Sequence, residues 1–268
     1  MSLVERWWLT DYATEIYVYL RSRERQRLNY RCQSPQLHLR RDLLRIIEHA
    51  CEKLSLCILV QHLSVHLLDF FMDCHDVGRD QLQLMTLGCV IVAAKAEEKD
   101  ALIPKNSDVS KLLDNGYDLK DLAKMELTLL TFFKWEVHYP TVAHFLDYFA
   151  IFAIFPNDYA KHADSAGQLE YLQTHMRSYL SYFLDASLKD HSFMQMPASM
   201  VAASCIVCSR ACLLLNPLWS STLESISNYK LDQLVTCINH LFTSTLSEEG
   251  RVIRQDTKHA AIPGSNTA

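Results

Sequence analysis

Glycine and proline are scarce in this chain, six and seven residues of 268. That excludes collagen-like and low-complexity classes. No Asn-Gly or Asp-Gly pair sits between alternating apolar runs, and no long period-two pattern survives, which excludes a fold built on β-hairpins. Uninterrupted apolar runs of membrane length are missing too: the longest candidate, Phe145 to Phe155, is broken by Asp147. The start, Met1-Ser2-Leu3-Val4-Glu5-Arg6-Trp7-Trp8, has no basic region, apolar middle or small-residue cleavage site, so no signal peptide is expected. Basic charge is not in excess. The net charge of −5 and a pI near 6.2 argue against a general nucleic-acid binder. Finally, there is no phosphate-cradling Gly-rich loop, no Gly-x-Ser-x-Gly elbow and no paired-carboxylate pattern. Nothing nominates a nucleophile or base, so a non-enzyme without cofactor or metal is expected.

What remains is a chain with 49% hydrophobic and 21% charged residues, the balance of a globular protein with a substantial core. Nine cysteines lie mostly inside apolar helical patterns, which predicts reduced, buried thiols in a cytosolic or nuclear protein. Pro35, Gly78, Pro104, Gly116, Pro140, Pro156, Gly167, Pro197 and Pro217 divide the chain into segments of helical length. The spacing predicts a first helix over Val4–Arg23, with Trp8, Tyr12, Ile16, Tyr19 and Leu20 on its apolar side. Five helices follow at Leu37–Leu54, Leu59–Cys74, Arg79–Glu97, Val109–Leu113 and Leu119–Lys134. After Pro140 the pattern restarts, with Val142–Phe155, Ala166–Ser187, Pro197–Leu214, Ser220–Ser227 and Leu231–Thr245. The expected organisation is all-α: a helix and linker over 1–34, five-helix units over 35–138 and 139–246, and a polar, disordered tail over 247–268.

Charges inside apolar patterns need explaining. Cys89-Val90-Ile91-Val92-Ala93-Ala94 is a run of small and apolar residues that suits a closely packed helix. Lys95 follows at its C-terminal end, where the helix dipole favours a cation. The helix Leu59–Cys74 is apolar nearly all round, so Asp69 needs a partner, with Arg40 and Arg41 the candidates for a bidentate clasp. Glu126 shares a face with Leu122, Leu129 and Leu130, and Lys95 is its candidate partner. The pair reads either as a charged spot in an apolar binding patch or as an internal salt bridge. His62 and His66 lie four apart, but with no third ligand they read as core or capping residues. Cys205, Cys208 and Cys212 share a helical face and read as small core residues. The cluster Arg21, Arg23, Arg25, Arg27 and Arg31 reads as a solvated helix end, with an import or phosphate-contacting patch as the alternative.

The residues resemble the cyclin box over nearly the whole chain. The resemblance rests on Leu39-Arg40, then Leu63-Ser64-Val65-His66-Leu67-Leu68-Asp69-Phe70-Phe71, Ala93-Ala94-Lys95-Ala96-Glu97-Glu98, Lys124-Met125-Glu126-Leu127 and Phe133-Lys134-Trp135-Glu136. In the second unit it rests on Pro140-Thr141-Val142-Ala143-His144-Phe145-Leu146 and Pro197-Ala198-Ser199-Met200-Val201-Ala202-Ala203. Trp7-Trp8, Gln33-Ser34-Pro35-Gln36-Leu37 and Leu39-Arg40-Arg41 are most similar to the J-type branch. The resemblance implies two tandem five-helix cyclin boxes and a regulatory subunit of a cyclin-dependent kinase of mitotic or S-phase class. It also implies a nuclear location, with some cytoplasmic protein, and protein substrates or inhibitors as further partners; neither membrane nor nucleic acid is expected. It implies that Lys95, Glu126, Ala96 and Glu98 face the kinase and that Arg40 and Asp69 form an internal tie. Many cyclins carry an aromatic where this chain has Ala96. The family's substrate-docking patch falls on Leu39, Asp42, Leu43, Ile46, Leu82 and Gln83. Asp42 replaces an apolar residue there and Ile46 a tryptophan, which counts against recruitment of Arg-x-Leu peptides.

Overall fold

A computed structural model describes residues 11–26, 29–113, 116–159 and 165–259. Among the described residues all regular structure is helical. A first helix α1 (Ala13–Arg25) precedes α2 (Arg40–Leu54), α3 (Ile58–Cys74), α4 (Arg79–Glu97), α5 (Asn106–Ser110) and α6 (Leu119–Phe132). The second unit runs α7 (Val142–Ala150), α8 (Pro156–Tyr159), α9 (Ser165–Lys189), α10 (Ala198–Cys212), α11 (Ser221–Ser227) and α12 (Leu231–His259). The single turn α8 is additional to the five helices expected there, opening at Pro156 as a proline in a first turn allows.

Each unit wraps a core around a helix that is buried on nearly every side. In the first, α3 buries Val60, Leu63, Val65, Leu67, Leu68, Phe70 and Met72, and α4 buries an unbroken run from Met85 to Ala94. In the second, α10 buries an unbroken run from Val201 to Arg210. A helix apolar all round cannot lie at the surface of a bundle, so pattern and position agree. Gly88 lets α4 and α6 approach closely: a Cβ there would meet Met125 Cγ at 2.8 Å and Leu129 Cδ1 at 3.1 Å.

Helix α1 differs from expectation in its apolar side. Tyr12 and Tyr19 are exposed, and Tyr17 is the buried residue, packed on Phe145, Tyr148 and Phe149 of α7. The part of the predicted helix from Val4 to Thr10, including Trp8, lies outside the described residues, as does Arg27. Arg21 is not solvated: it pairs with Glu24 at 2.9 Å, donates to Tyr229 Oη at 3.0 Å and bonds Ser199 Oγ. Arg25 and Arg31 are exposed. The basic cluster is thus divided between a packing face and solvent, because α1 has a second unit to dock on.

The tail also departs from expectation. α12 continues through Ser247 to His259, and only 260–268 lie outside the described residues. The sequence over 248–259 has no proline and is rich in Glu, Arg, Gln and Lys, whose straight side chains lose little freedom in a helix.

Candidate functional site

The close approach of α4 to α6 brings Lys95 to Glu126. Lys95 Nζ lies 2.6 Å from Glu126 Oε1, the lysine side chain 43% exposed and the glutamate 14%. The carboxylate is thus set into the surface with the ammonium lying over it. Two large apolar side chains on the same helix and the turn that ends it are open to solvent, Leu127 at 54% and Trp135 at 66%. Lys134 and Trp135 both take left-handed backbone, φ 53° and 64°, and the Trp135 N–H closes the turn on the Leu130 carbonyl at 2.8 Å. Ala96 is half-buried against the first core. Glu98, also half-buried, accepts the Cys57 N–H at 2.6 Å and so serves the N-terminus of α3.

The Arg40–Asp69 pair is of the opposite kind. Nε donates to Oδ1 at 2.7 Å and Nη2 to Oδ2 at 2.8 Å, both side chains buried, while Arg41 is exposed. Burial works against the Arg40 charge, but the Asp69 carboxylate outweighs it and raises the guanidinium's pKa. Arg40 also donates to the carbonyls of Leu188 at 2.9 Å and Lys189 at 2.8 Å, the C-terminal end of α9. One arginine therefore clasps α2 to α3 and fastens the first unit to the second.

The six patch residues do not form an open apolar surface. Leu43 and Leu82 are buried, and Leu39 and Ile46 are half-buried. Asp42 is exposed and paired with Arg45 at 2.8 Å, and Gln83 accepts from the Tyr117 hydroxyl at 3.2 Å. His62 is sealed inside α3. Burial, and then the nearby His144, push its pKa down to about 3, and its Nε2 has no hydrogen-bond partner. His66 packs on Phe70 and Tyr139. Cys205 and Cys208 lie in the second core, their thiols pushed up by burial, while Cys212 is exposed. Among the described residues no three His, Cys, Asp or Glu side chains converge as metal ligands.

Several polar groups were not visible in the sequence. Arg210, fully buried in α10, is bidentate to Asp158 at 2.8 and 3.1 Å and donates to the carbonyls of Ala153 and Pro217. The second unit thus has a buried Arg–Asp clasp of its own, between residues too distant in sequence for spacing to pair them. Glu97 at the end of α4 meets His144 of α7 at 3.3 Å, a further link across the units. Asp190, Ser192 and His240 also converge, but Ser192 Oγ at 2.6 Å and Asp190 Oδ2 at 2.9 Å contact the same nitrogen, Nε2. A proton relay needs the two ring nitrogens on different partners, so this is a cap rather than a catalytic triad. Burial works to raise the Asp190 pKa, yet hydrogen bonds from Ser192, Ser244 and His240 bring it down to about 2.

Comparison with known proteins agrees with this architecture. The family described as "Cyclin, N-terminal domain" matches residues 15–138, and "Cyclin, C-terminal domain" matches 140–261. The chain belongs to the cyclin family, whose members are regulatory rather than catalytic. Within that family it is 34% identical to Cyclin-J of Xenopus laevis over 264 residues, 97% of this chain and 67% of the relative. It is 29% identical to "G2/mitotic-specific cyclin-A" of Hydra viridissima over 247 residues, 88% of this chain and 55% of that one. A viral cyclin from herpesvirus saimiri shares the fold, with a TM-score of 0.65 at 17% identity, covering 85% of this chain and 96% of the viral one.

Proposed function

We propose that this chain binds and activates a cyclin-dependent kinase through the face centred on Lys95 and Glu126, and that catalysis belongs to the partner. The observation that carries the reading is the contrast between the pairs. Arg40–Asp69 and Arg210–Asp158 are buried, whereas Lys95 lies open over Glu126. Lys95 is the exposed member of its pair, so a partner can reach the ammonium without unpacking the core. Leu127 and Trp135 supply apolar area of the kind that anchors interfaces, and offset the methyl-sized Ala96. Seated there, a kinase helix carrying the glutamate of the Lys–Glu ion pair is held inward and the ATP-binding groups come into place. Glu98, bonded to the Cys57 N–H, acts in this reading by shaping the end of α4. The likeness to a relative named a G2/mitotic-specific cyclin supports a kinase of mitotic or S-phase class, and with it work in the nucleus. The engagement of Arg21 with Glu24, Ser199 and Tyr229 leaves less basic surface for nucleic acid.

The test is charge reversal. K95E and E126K should each abolish co-purification of kinase activity while circular dichroism stays helical. Full kinase activation by the K95E/E126K double variant would overturn these roles. Mass spectrometry of the captured kinase names its class, and imaging of the tagged chain tests the nuclear location.

A further inference from the structure

The segment joining α1 to α2 presents a thiol to the second unit. Cys32 Sγ lies 3.3 Å from His191 Nδ1, and the sulfur is half-buried rather than sealed. The loop that presents it is pinned on both sides of the cysteine. Asp73 accepts the Arg31 N–H at 2.6 Å through Oδ2 and the Gln33 N–H at 2.7 Å through Oδ1. Cys32 itself takes left-handed backbone, φ 59°. The ring of Tyr30 packs beside that of His191, centroids 6.5 Å apart, which helps set the imidazole's orientation. The Tyr30 hydroxyl is buried and has no hydrogen-bond partner. Burial above all, with Asp69 and Cys32 adding to it, pushes its pKa up.

We propose that Cys32 is a peroxide-reactive thiol, with His191 as the base that takes its proton and the Tyr30 hydroxyl as donor to the oxygen added. The oxidant is hydrogen peroxide. The Cys32 proton passes to His191 Nδ1, and the thiolate attacks one peroxide oxygen. An S–O bond forms as the O–O bond breaks, and the departing hydroxide takes the proton from His191 and leaves as water. Sulfur loses two electrons, the peroxide gains two, and the products are Cys32 sulfenic acid, water and a neutral imidazole. An imidazole within hydrogen-bonding distance is placed to accept the thiol proton, and the thiolate is the nucleophile. The orphaned Tyr30 O–H is the donor such an oxygen would use. Asp73 opposes the thiolate's charge, but both its carboxylate oxygens are engaged by backbone N–H groups.

The other cysteines are placed differently. Burial raises the thiol pKa of Cys51, Cys57, Cys89, Cys205, Cys208, Cys212 and Cys237, which makes each a poorer nucleophile. Cys74 is exposed and makes no hydrogen bond to an imidazole among the described residues. Oxygen on Cys32 would displace the sulfur–imidazole contact that joins this linker to the turn His191–Gln195.

The experiment is competitive labelling inside one molecule. The folded chain is treated with hydrogen peroxide, sulfenic acid is trapped with a 1,3-dicarbonyl reagent, and each cysteine peptide is quantified by mass spectrometry. Cys32 should label about tenfold faster than the exposed Cys74 and Cys212. H191Q should bring Cys32 down to the rate of those two, and Y30F should speed onward oxidation to the sulfinic acid. Equal labelling of Cys32 and Cys74 in the unaltered chain overturns the proposal, as does an unchanged Cys32 rate in folded H191Q. Should H191Q fail to fold by circular dichroism, the ratio in the unaltered chain decides alone.

Discussion

Glu24 of α1 accepts both the backbone N–H and the hydroxyl of Ser199, at 2.7 and 2.8 Å, from a residue 175 positions later in the chain. A carboxylate placed there satisfies an orphan donor at the start of α10 and favours the helix dipole, with Arg21 compensating its charge. Helix α1 is therefore fastened to the second unit. Glu24→Ala should cost about 2–4 kcal/mol, because it removes the counter-ion of Arg21 and leaves the buried Ser199 N–H without its acceptor. Urea unfolding should show an earlier midpoint, and limited proteolysis should report α1 detaching first.

Breaking the Arg40–Asp69 clasp should be far worse than replacing it. Arg40→Ala leaves Asp69 charged and buried and the carbonyls of Leu188 and Lys189 without their donor, a loss of about 3–5 kcal/mol. The double variant R40M/D69L should recover most of that, since a buried pair of similar volume can often be replaced by apolar groups. Equilibrium denaturation of the three proteins measures the difference. A double variant no more stable than R40A would show that the carbonyl contacts dominate.

Acid should weaken the fold through His62. In the unfolded chain the imidazole titrates near the ordinary 6.5, whereas burial holds it to about 3 in the folded one. Between those values the unfolded state binds a proton that the folded state does not. The His62 contribution is fully present above pH 6.5 and declines by about 1.4 kcal/mol per pH unit toward pH 3. His62→Leu should flatten this part of the stability–pH curve. It should leave stability at pH 7 unchanged or slightly higher, because an unpartnered buried nitrogen is removed. Urea unfolding at pH 7 and pH 5 checks both statements.

Packing at Gly88 should control the Lys95–Glu126 pair. Gly88→Leu drives a side chain into Met125 and Leu129 and should cost about 1–3 kcal/mol through overpacking. Because Met125 adjoins Glu126, the variant should also misplace the carboxylate and, on the proposed function, weaken kinase binding more than it weakens the fold. Binding measured beside thermal unfolding separates the two effects.

On the proposed function, Ala96→Phe should tighten kinase binding. The aromatic ring would restore apolar contact beside Lys95, and partial burial contributes about 1 kcal/mol, roughly fivefold in affinity. Titration of the purified chain against its kinase reads the change directly. Weaker binding would show that the partner's surface has adapted to the methyl group.

Apolar periodicity and the positions of proline and glycine were enough to predict an all-α chain with a repeated unit. The reason is that a helix apolar nearly all round, such as α3, has only one place to go. The same logic found Asp69 and Glu126, since a charge in an apolar pattern demands a partner. Choosing between partners was harder: Arg40 and Arg41 are adjacent in sequence, and only the direction in which α2 presents them gives the clasp to Arg40. What the chain alone could not show is which distant surfaces meet. Arg210 finds Asp158, Glu24 finds Ser199, Arg40 reaches the carbonyls ending α9, and Cys32 reaches His191, all across separations where sequence spacing carries no geometric information. Local pattern determines which helices form and which charges must be paired. The packing of one unit on the other decides the pairings, because hydrogen bonds and ion pairs depend on ångström-scale proximity that exists only in the folded chain.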